Sequence, residues 1–225
     1  MNVVGIDACR GGWVAVVIDT GGFVAATRAA TVAEVLTLVG PVSHVGIDIP
    51  IGGSTTGVRR ADQEARRVLG PRRASVFDAP HPDVLAAASY ADANAASRRL
   101  TGRGLSAQAW HLVPRIREVA ALVGAPTAAP IVEIHPEVSF REMAGAPLPH
   151  PKSTWAGIRH RSALLAGVGI ELPDDLGPAG RAGVDDVVDA AAVAWSARRM
   201  AGGAARSLPD PPETDADGLP MAIWV

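Results

Sequence analysis

The sequence predicts an α/β protein in which a five-stranded mixed sheet is flanked by helices. Three β-rich runs come first, separated by Gly-Gly turns, and they predict an antiparallel meander. A helical segment then precedes a fourth apolar run, so the fourth strand is expected to lie parallel to the first. Strand-like and helical segments alternate again towards the C-terminus. Together these observations predict the strand order 3-2-1-4-5 with helices on both faces.

The first four strands are placed by β-branched runs and by their turns. Residues 3–7 and 13–18 are rich in Val and Ile, and "GGFVAATRA" adds the third strand. Thr31 and Glu34 form a capping box followed by an apolar stripe, so a helix is expected there. "HVGIDIPIGG" then predicts a buried fourth strand.

The middle of the chain, residues 53–129, predicts a helical insertion within a single domain that spans residues 1–225. One charged helical segment ends at Gly70, and two further helical segments, "VLAAASYADANAASRRL" and "LSAQAWHLVPRIREVAALVG", follow. Pro114 lies inside the second of these. Because proline removes a backbone donor, it is expected to kink or split that helix.

The last part of the chain supplies the fifth strand and more helices. "APIVEIHPEVSF" returns to strand character, and a second capping box, Ser139 with Glu142, is expected to open a helix. "HRSALLAGVGI" and "DDVVDAAAVAWSARR" are the next helical segments. "SLPDPPETDADGLP" is expected to be a polar loop. "MAIWV" is expected to be a terminal strand, at an edge or at an interface, and a homodimer is left open.

Composition excludes several classes of protein. The formal net charge is -2, so the chain lacks the overall basic charge of many nucleic-acid binders. Cys9 is the only cysteine, which excludes an intramolecular disulfide. No run of about 18 apolar residues and no signal-peptide pattern occurs, so we expect no membrane association and a cytoplasmic location.

Two aspartates fall at the carboxyl ends of strands that are predicted to be neighbours. Asp7 follows "VVGI" in the first strand, and Asp48 follows "HVGI" in the fourth. Carboxylates placed side by side raise each other's pKa unless a cation lies between them. Oxygen ligands of this kind suit Mg²⁺ or Mn²⁺. The pair therefore predicts a divalent-metal site at this end of the sheet.

The last long helix brings a second group of acids. Asp186 and Asp189 are spaced i, i+3 and face one side of the helix, as do Asp185 and Asp189 at i, i+4. The alanines that follow would let the helix pack closely on the sheet and carry these acids to Asp7 and Asp48. Acids in a first turn also stabilise a helix through its dipole, by about 0.3–1 kcal/mol each. Helix capping is therefore the alternative interpretation.

The "EIHPE" segment adds further candidates. Glu133 and His135 alternate to one face of the fifth strand, and Glu137 lies just beyond its end. Glu137 is a candidate metal ligand or general base, and His135 a candidate proton carrier or phosphate contact. The alternative for Glu133 is a buried polar network with arginines of the insertion.

Three basic residues are candidate substrate contacts. Arg59 and Arg66 share a helix face, with Asp62 between them. They are candidates for phosphate contacts, and the alternative, which applies to at least half of the arginines in this part of the insertion, is a salt-bridged surface helix. Lys152, the only lysine of the chain, lies near the start of a helix, from which it could reach an anion.

The segments that carry these residues resemble known proteins. "DVVDAAAVA" resembles the last motif of Holliday junction resolvases in the ribonuclease-H-like superfamily, and that alignment selects Asp186 and Asp189 over Asp185. Most of the chain resembles domain of unknown function family 429, a family of predicted ribonuclease-H-like nucleases. That second resemblance is carried by "GIDACRGGWV", "GIDIPIG", "RRADQEARRVLG", "SVFDAP", "VEIHPEVSF" and "DDVVDAAAVAW".

The resemblance implies a ribonuclease-H-like fold and hydrolysis of phosphodiester bonds in a nucleic acid or nucleotide. In such a two-metal mechanism, one Mg²⁺ or Mn²⁺ ion activates water and the other stabilises the leaving oxygen. By this resemblance Asp7 would bridge both metals, and Asp48, Asp186 and Asp189 would complete their ligand sets.

Two other functions are open on the same core. "GIDACRGGW" resembles the first phosphate loop of ATPases and phosphotransferases of the actin and sugar-kinase type. A second Gly-rich phosphate loop is not evident, and a Gly-Gly turn serves any tight hairpin. The remaining hypothesis is a non-catalytic binding module.

Overall fold

A five-stranded mixed sheet forms the centre of the computed structural model, which describes residues 1–123 and 129–225. Its strands are β1 (Val3–Cys9), β2 (Gly12–Asp19), β3 (Gly22–Ala29), β4 (Val45–Ile47) and β5 (Ile131–Glu133). The order is β3-β2-β1-β4-β5. β1, β2 and β3 are antiparallel, whereas β4 is parallel to both β1 and β5. The predicted α/β class and strand order are confirmed, and they match the ribonuclease-H-like arrangement.

Helices cover both faces of this sheet. They are α1 (Val32–Val39), α2 (Arg60–Leu69), α3 (Pro82–Ala86), α4 (Tyr90–Thr101), α5 (Ala107–Val123), α6 (Pro136–Ala144), α7 (Trp155–Gly167) and α8 (Val184–Ala201). The core on one face is closed by α1 and α5, and the core on the other face by α6, α7 and α8. The predicted cap of α1 is present, since Thr31 Oγ1 accepts a hydrogen bond from Glu34 N at 3.2 Å.

Alternation along β1 decides which residues meet α8. Val4 and Ile6 belong to the core beneath α1 and α5, whereas Val3 and Cys9 belong to the core beneath α8. Because side chains alternate along a strand, Asp7 shares the α8 face with its odd-numbered neighbours. The charged end of β1 is therefore directed towards the helix that carries the other acids.

The region between β4 and β5 contains α2 to α5. The insertion predicted over residues 53–129 covers this region, although its residues 124–128 lie outside the described residues. Glu118 of α5 accepts hydrogen bonds from Trp13 Nε1 at 3.1 Å and from Val32 N at 2.6 Å. These bonds tie α5 to the sheet and to the start of α1. Within the described parts of the chain, no helix is long and apolar enough to cross a bilayer.

Two predictions about the second half of the chain are wrong. The segment expected to be a polar loop forms β6 (Ser207–Thr214), which pairs antiparallel with β7 (Pro220–Trp224). Its prolines fall at an irregularity in that pairing, where the ladder requires no backbone donor. α6 begins at Pro136 and not after Ser139, because proline suits the first turn of a helix. Ser139 instead lies inside α6, with its Oγ 2.8 Å from Ser196 Oγ of α8.

One detail of the insertion also differs from prediction. The segment expected to form one helix is divided into α3 and α4, because Ser89 caps the second helix by accepting a hydrogen bond from Asp92 N. Of the two effects expected of Pro114, a split does not occur, since α5 continues as one helix through this residue.

Candidate functional site

A cleft of about 450 Å³ opens where β1 and β4 end their parallel pairing. The predicted acids Asp7, Asp48 and Asp189 line it together. Glu137 and the predicted substrate contacts Arg59, His135 and Lys152 also contribute to its lining. Asp186 and Arg66 are not among the described residues that line this cleft.

Strand pairing places Asp7 beside Asp48. Ile6 of β1 pairs with Ile47 of β4, and Asp48 N donates to Ile6 O at 3.0 Å. The two aspartates follow at equivalent positions and therefore share a face of the sheet. β1 itself continues to Cys9 in its pairing with β2, so Asp7 marks the end of the parallel ladder and not the end of the strand.

The third acid of the cleft comes from α8. Asp189 is 2% exposed and directly precedes the buried alanines of that helix. Asp185 and Asp186 lie in the first turn and are partly buried. Asp186 also interacts with the backbone of Gly183, the N-cap residue, so it has some of the capping character that was the alternative interpretation.

Burial raises the pKa of each acid in and beside this cleft, and repulsion between carboxylates adds to the effect at some of them. The pKa of Asp7 is raised well above its usual value, first by burial and then by the charges of Asp48 and Asp189. Burial also raises the pKa of Asp48, and it raises the pKa of Asp189 to about 6. Burial and the charge of Asp185 raise the pKa of Asp186. Carboxylates perturbed together in a cleft are typical of functional sites.

Lys152 supplies positive charge to this group. Its Nζ lies 2.6 Å from Asp189 Oδ2 and 3.5 Å from Asp185 Oδ2. Burial acts to lower the pKa of Lys152, but the charges of Asp189, Asp7 and Asp185 outweigh this effect and raise it. Lys152 therefore bridges the i, i+4 pair of α8, and Asp186 lies outside this bridge.

The residues of the cleft fit a divalent cation by their chemistry. Carboxylate oxygens are the ligands that Mg²⁺ and Mn²⁺ prefer, and several of them converge here. Among the residues that the structure describes, however, no group of three or more His, Cys, Asp or Glu side chains is arranged to hold a metal ion. The ammonium of Lys152 already contacts the carboxylate of Asp189. A metal ion that binds Asp189 therefore requires this ammonium to move.

Glu137 lies in the wall of the cleft as half of a buried ion pair. Arg161 donates to Glu137 Oε2 at 2.5 Å, and both side chains are almost fully buried. Glu137 Oε1 has no hydrogen-bond partner among the described residues, and Arg72 Nε lies 3.9 Å from it. Because no described residue donates a hydrogen bond to this oxygen, Glu137 stays a candidate acceptor.

Arg59 is 2% exposed and holds the loop that follows β4. Its guanidinium contacts Glu133 Oε1 and Oε2, both at 2.8 Å, and Asp62 Oδ1 at 2.6 Å. It also donates to Ile51 O at 2.9 Å, while Ile51 N donates to Glu133 Oε2 at 2.7 Å. The polar network expected as the alternative for Glu133 is thus present. These contacts make Arg59 a positioning residue, and a substrate contact would require them to break.

The other two predicted substrate contacts, Arg66 and His135, have different hydrogen-bond partners. Arg66 donates to Asp78 Oδ1 at 2.6 Å and to Val76 O at 2.9 Å, which fixes the loop after α2. His135 lines the cleft, with Nε2 3.2 Å from Ser75 O, and its charge lowers the pKa of Asp48. His135 is thus the better placed of the two for a ligand.

Arg115, which was not predicted as a site residue, reaches the cleft from α5. Arg115 NH2 donates to Cys9 O at 2.7 Å, and the guanidinium carbon lies 5.5 Å from the centroid of the Trp13 ring. These contacts hold the positively charged guanidinium of Arg115 in the lining of the acidic cleft. No local signal separates Arg115 from the other arginines, because only the packing of α5 on the sheet brings it here.

Comparison with known proteins gives a match to a protein-family model. No curated protein and no solved structure matches this chain. A family model described as "Protein of unknown function (DUF429)" matches residues 5–214, a range that includes all the acids and bases discussed above. The chain therefore belongs to this family of proteins of unknown function.

Proposed function

We propose that the protein is a metal-dependent hydrolase of phosphodiester bonds. Asp7, Asp48 and Asp189 would hold Mg²⁺ or Mn²⁺, two ions in the full mechanism, with Asp186 completing the ligand set. The observation that carries this proposal is the convergence of Asp7, Asp48 and Asp189 on one cleft, where burial raises the pKa of all three and repulsion raises it further at Asp7 and Asp189. A divalent cation would remove that repulsion.

The chain's own groups would bind and orient the substrate. The bound metal would supply an activated water and stabilise charge on a phosphoryl oxygen. Arg115 is held by the Cys9 carbonyl and by Trp13, and its planar guanidinium suits a phosphate oxygen. Glu137, with an unpartnered carboxylate oxygen, is the candidate proton acceptor.

A nucleic acid or nucleotide is the proposed substrate. Phosphate contacts orient such a ligand, and an exposed aromatic ring offers a surface on which a base can stack. Phe77 lines the same cleft and is 44% exposed. A large apolar ring beside buried acids and Arg115 is consistent with a ligand that has both a base and a phosphate.

Metal titration followed by a cleavage assay tests the proposal. Mn²⁺ is titrated by calorimetry into the wild type and into Asp7→Asn, and both are then assayed on labelled single-stranded, duplex and branched DNA and RNA. Asn retains the oxygen that accepts from Ala8 N at 2.7 Å, so this variant keeps the local fold. Binding and cleavage by the wild type, both lost in Asp7→Asn and both kept in the exposed control Asp174→Asn, support the proposal. Negligible binding by folded wild type overturns it.

A non-catalytic binding module is the second candidate. It is favoured by the contact of Lys152 with Asp189 and by the lack of a preformed metal arrangement among the described residues. In that case Lys152 is a permanent counter-ion, and the cleft binds its ligand without metal. A wild type that binds nucleotides equally well in chelator and in Mn²⁺, and cleaves none, supports this candidate.

The ATPase alternative has less support. Gly11 and Gly12 have φ values of 76° and 151° in the turn between β1 and β2. A Cβ atom on Gly12 would also overlap Ala29 O of β3. The hairpin and its packing thus account for these glycines without a phosphate.

A further inference from the structure

We propose that Lys152 is an exchangeable counter-ion of the acid cluster, which a divalent cation must displace from Asp189 in order to bind. The acid cluster is defined here as Asp7, Asp48 and Asp189. This inference rests on the proposed metal site, and it concerns what controls the affinity of that site.

Competition follows from the position of the ammonium. Lys152 Nζ lies 2.6 Å from Asp189 Oδ2, which is the distance of a direct charge-assisted hydrogen bond. The side chain of Asp189 is only 3% exposed, so this carboxylate is approached through the cleft. A divalent ion on the same carboxylate would lie close to the ammonium, and the two positive charges would repel each other.

Lys152 is held loosely enough to leave. Its side chain is 45% exposed, and its contacts with described residues run to Asp185 and Asp189 of α8. A lysine carries a compact charge on a flexible stem, so rotation can return the ammonium to water. Arg161 provides a contrast, because its side chain is 1% exposed and is fixed by Glu137, Gly157 O and His150 O.

The charge balance also favours exchange. The acid cluster can carry three negative charges, whereas Lys152 brings a single positive charge. A divalent ion neutralises more of the cluster and coordinates several oxygens at once. The release of Lys152 would also free its ammonium for a substrate phosphate, the contact predicted from the sequence.

The identity of the residue matters to this exchange. Lys152 is the only lysine of the chain. An arginine could hold Asp185 and Asp189 through several fixed donors and would be harder to displace. Lys152→Arg and Lys152→Met therefore change the strength of the internal cation in opposite directions.

Calorimetric titration of Mn²⁺ into the wild type, Lys152→Met and Lys152→Arg tests the inference. We expect Lys152→Met to bind Mn²⁺ about tenfold or more tightly than the wild type, and Lys152→Arg to bind it more weakly. Arg60→Met, which removes an exposed cation outside the cleft, should bind as the wild type does.

The outcomes separate the inference from the proposed function. If the wild type binds Mn²⁺ and Lys152→Met binds it equally or more weakly, the inference is overturned and the metal site stands. If Lys152→Met alone binds, the inference is supported, and the proposed function of the wild type is overturned. If none of the folded proteins binds, the metal site is overturned, and the inference with it.

A second measurement avoids substitution altogether. Reductive methylation with ¹³C-formaldehyde labels Lys152 and the terminal amine only, because the chain has no other lysine. Addition of Mg²⁺ at a concentration that saturates the site should move the Lys152 methyl signal towards its position in the urea-unfolded protein. The terminal-amine signal serves as the internal control. A Lys152 signal that stays in place while Mg²⁺ binds overturns the inference.

Discussion

Gly5 of β1 and Ala190 of α8 are in direct backbone contact. A Cβ atom on Gly5 would overlap the Ala190 carbonyl oxygen and the Ala194 backbone nitrogen. Asp7 follows Gly5 on the same face of β1, and Asp189 directly precedes Ala190. The close approach of strand and helix therefore also brings these two carboxylates to one cleft. Because Gly5 has no side chain, α8 can pack closely on β1, and the same close packing brings Asp7 and Asp189 together.

Gly5→Ala should destabilise the protein strongly. The new methyl group meets backbone atoms, which cannot rotate away, so α8 must move from the sheet. We expect the free energy of unfolding to fall by at least about 1–3 kcal/mol, the usual effect of overpacking. Urea unfolding measures this change. Gly167→Ala is the matched control, because a Cβ atom there meets nothing within 4 Å. Equal stability of the two variants would contradict the contact.

Asp7→Asn should stabilise the metal-free protein. Burial and the charges of Asp48 and Asp189 raise the pKa of Asp7, so its ionised form opposes folding. Asn is neutral at this position, so it removes both the cost of burying the charge and its repulsion, and we expect the free energy of unfolding at pH 7 to rise. Unfolding in urea with a chelator present is the measurement.

Asp62→Asn is the matched comparison for Asp7→Asn. Asp62 is also buried, but it pairs with Arg59 at 2.6 Å. Its replacement should therefore reduce stability, because a buried guanidinium loses a charged partner. Destabilisation of similar size in both variants would show that Asp7 is not a repelled carboxylate.

The metal-free protein should be more stable at pH 5 than at pH 7. The pKa of Asp189 is about 6 in the folded protein, above its usual value of 3.8, because the residue is buried. Between these two values the folded protein binds more protons than the unfolded chain, so its stability falls as the pH rises. We expect a loss of about 1–3 kcal/mol from pH 5 to pH 7, measured in chelator. Asp189→Asn should show a smaller pH dependence. An identical profile for the wild type and this variant would argue against the assignment.

Local signals were sufficient for the sheet and for the pairing of Asp7 with Asp48. The signals for the sheet can each be recognised within a short stretch of sequence: the Gly-Gly turns, the β-branched runs and the helix before β4. Rules of handedness then limit the possible orders of the strands. β6 was missed because its prolines and acids lack the alternation of an ordinary strand. The start of α6 was misplaced because two local signals compete there, and Pro136 prevailed over the capping box at Ser139.

Tertiary contacts account for what the sequence could not reveal about the cleft. Lys152 and Asp189 are 37 residues apart, and no periodicity relates them. Helix periodicity singled out Arg59 as a candidate substrate contact, whereas no pattern singled out Arg115. Packing buries Arg59 against two carboxylates and directs Arg115 into the cleft. A sequence pattern can thus nominate acids at strand ends, but the partner of each charge depends on the folded chain.

Arg59→Gln and Arg60→Gln, at adjacent positions, should have very different effects. Arg59 is buried between Asp62 and Glu133, so its removal leaves two buried carboxylates without their cation. We expect a loss of about 3–5 kcal/mol, as for other broken buried ion pairs. Arg60 is 56% exposed and pairs with Glu64 at 3.2 Å, and its removal should change stability by less than about 1 kcal/mol.

Urea unfolding measures the stability of Arg59→Gln and Arg60→Gln. Limited proteolysis measures how exposed the loop after β4 is in each variant. Arg59 donates to Ile51 O and Gly52 O, so Arg59→Gln should also expose this loop to protease. Arg60→Gln should leave its cleavage rate unchanged. If Arg59→Gln is as stable and as protease-resistant as Arg60→Gln, Arg59 does not position the loop. Its assignment as a substrate contact, made from the sequence, would then regain support.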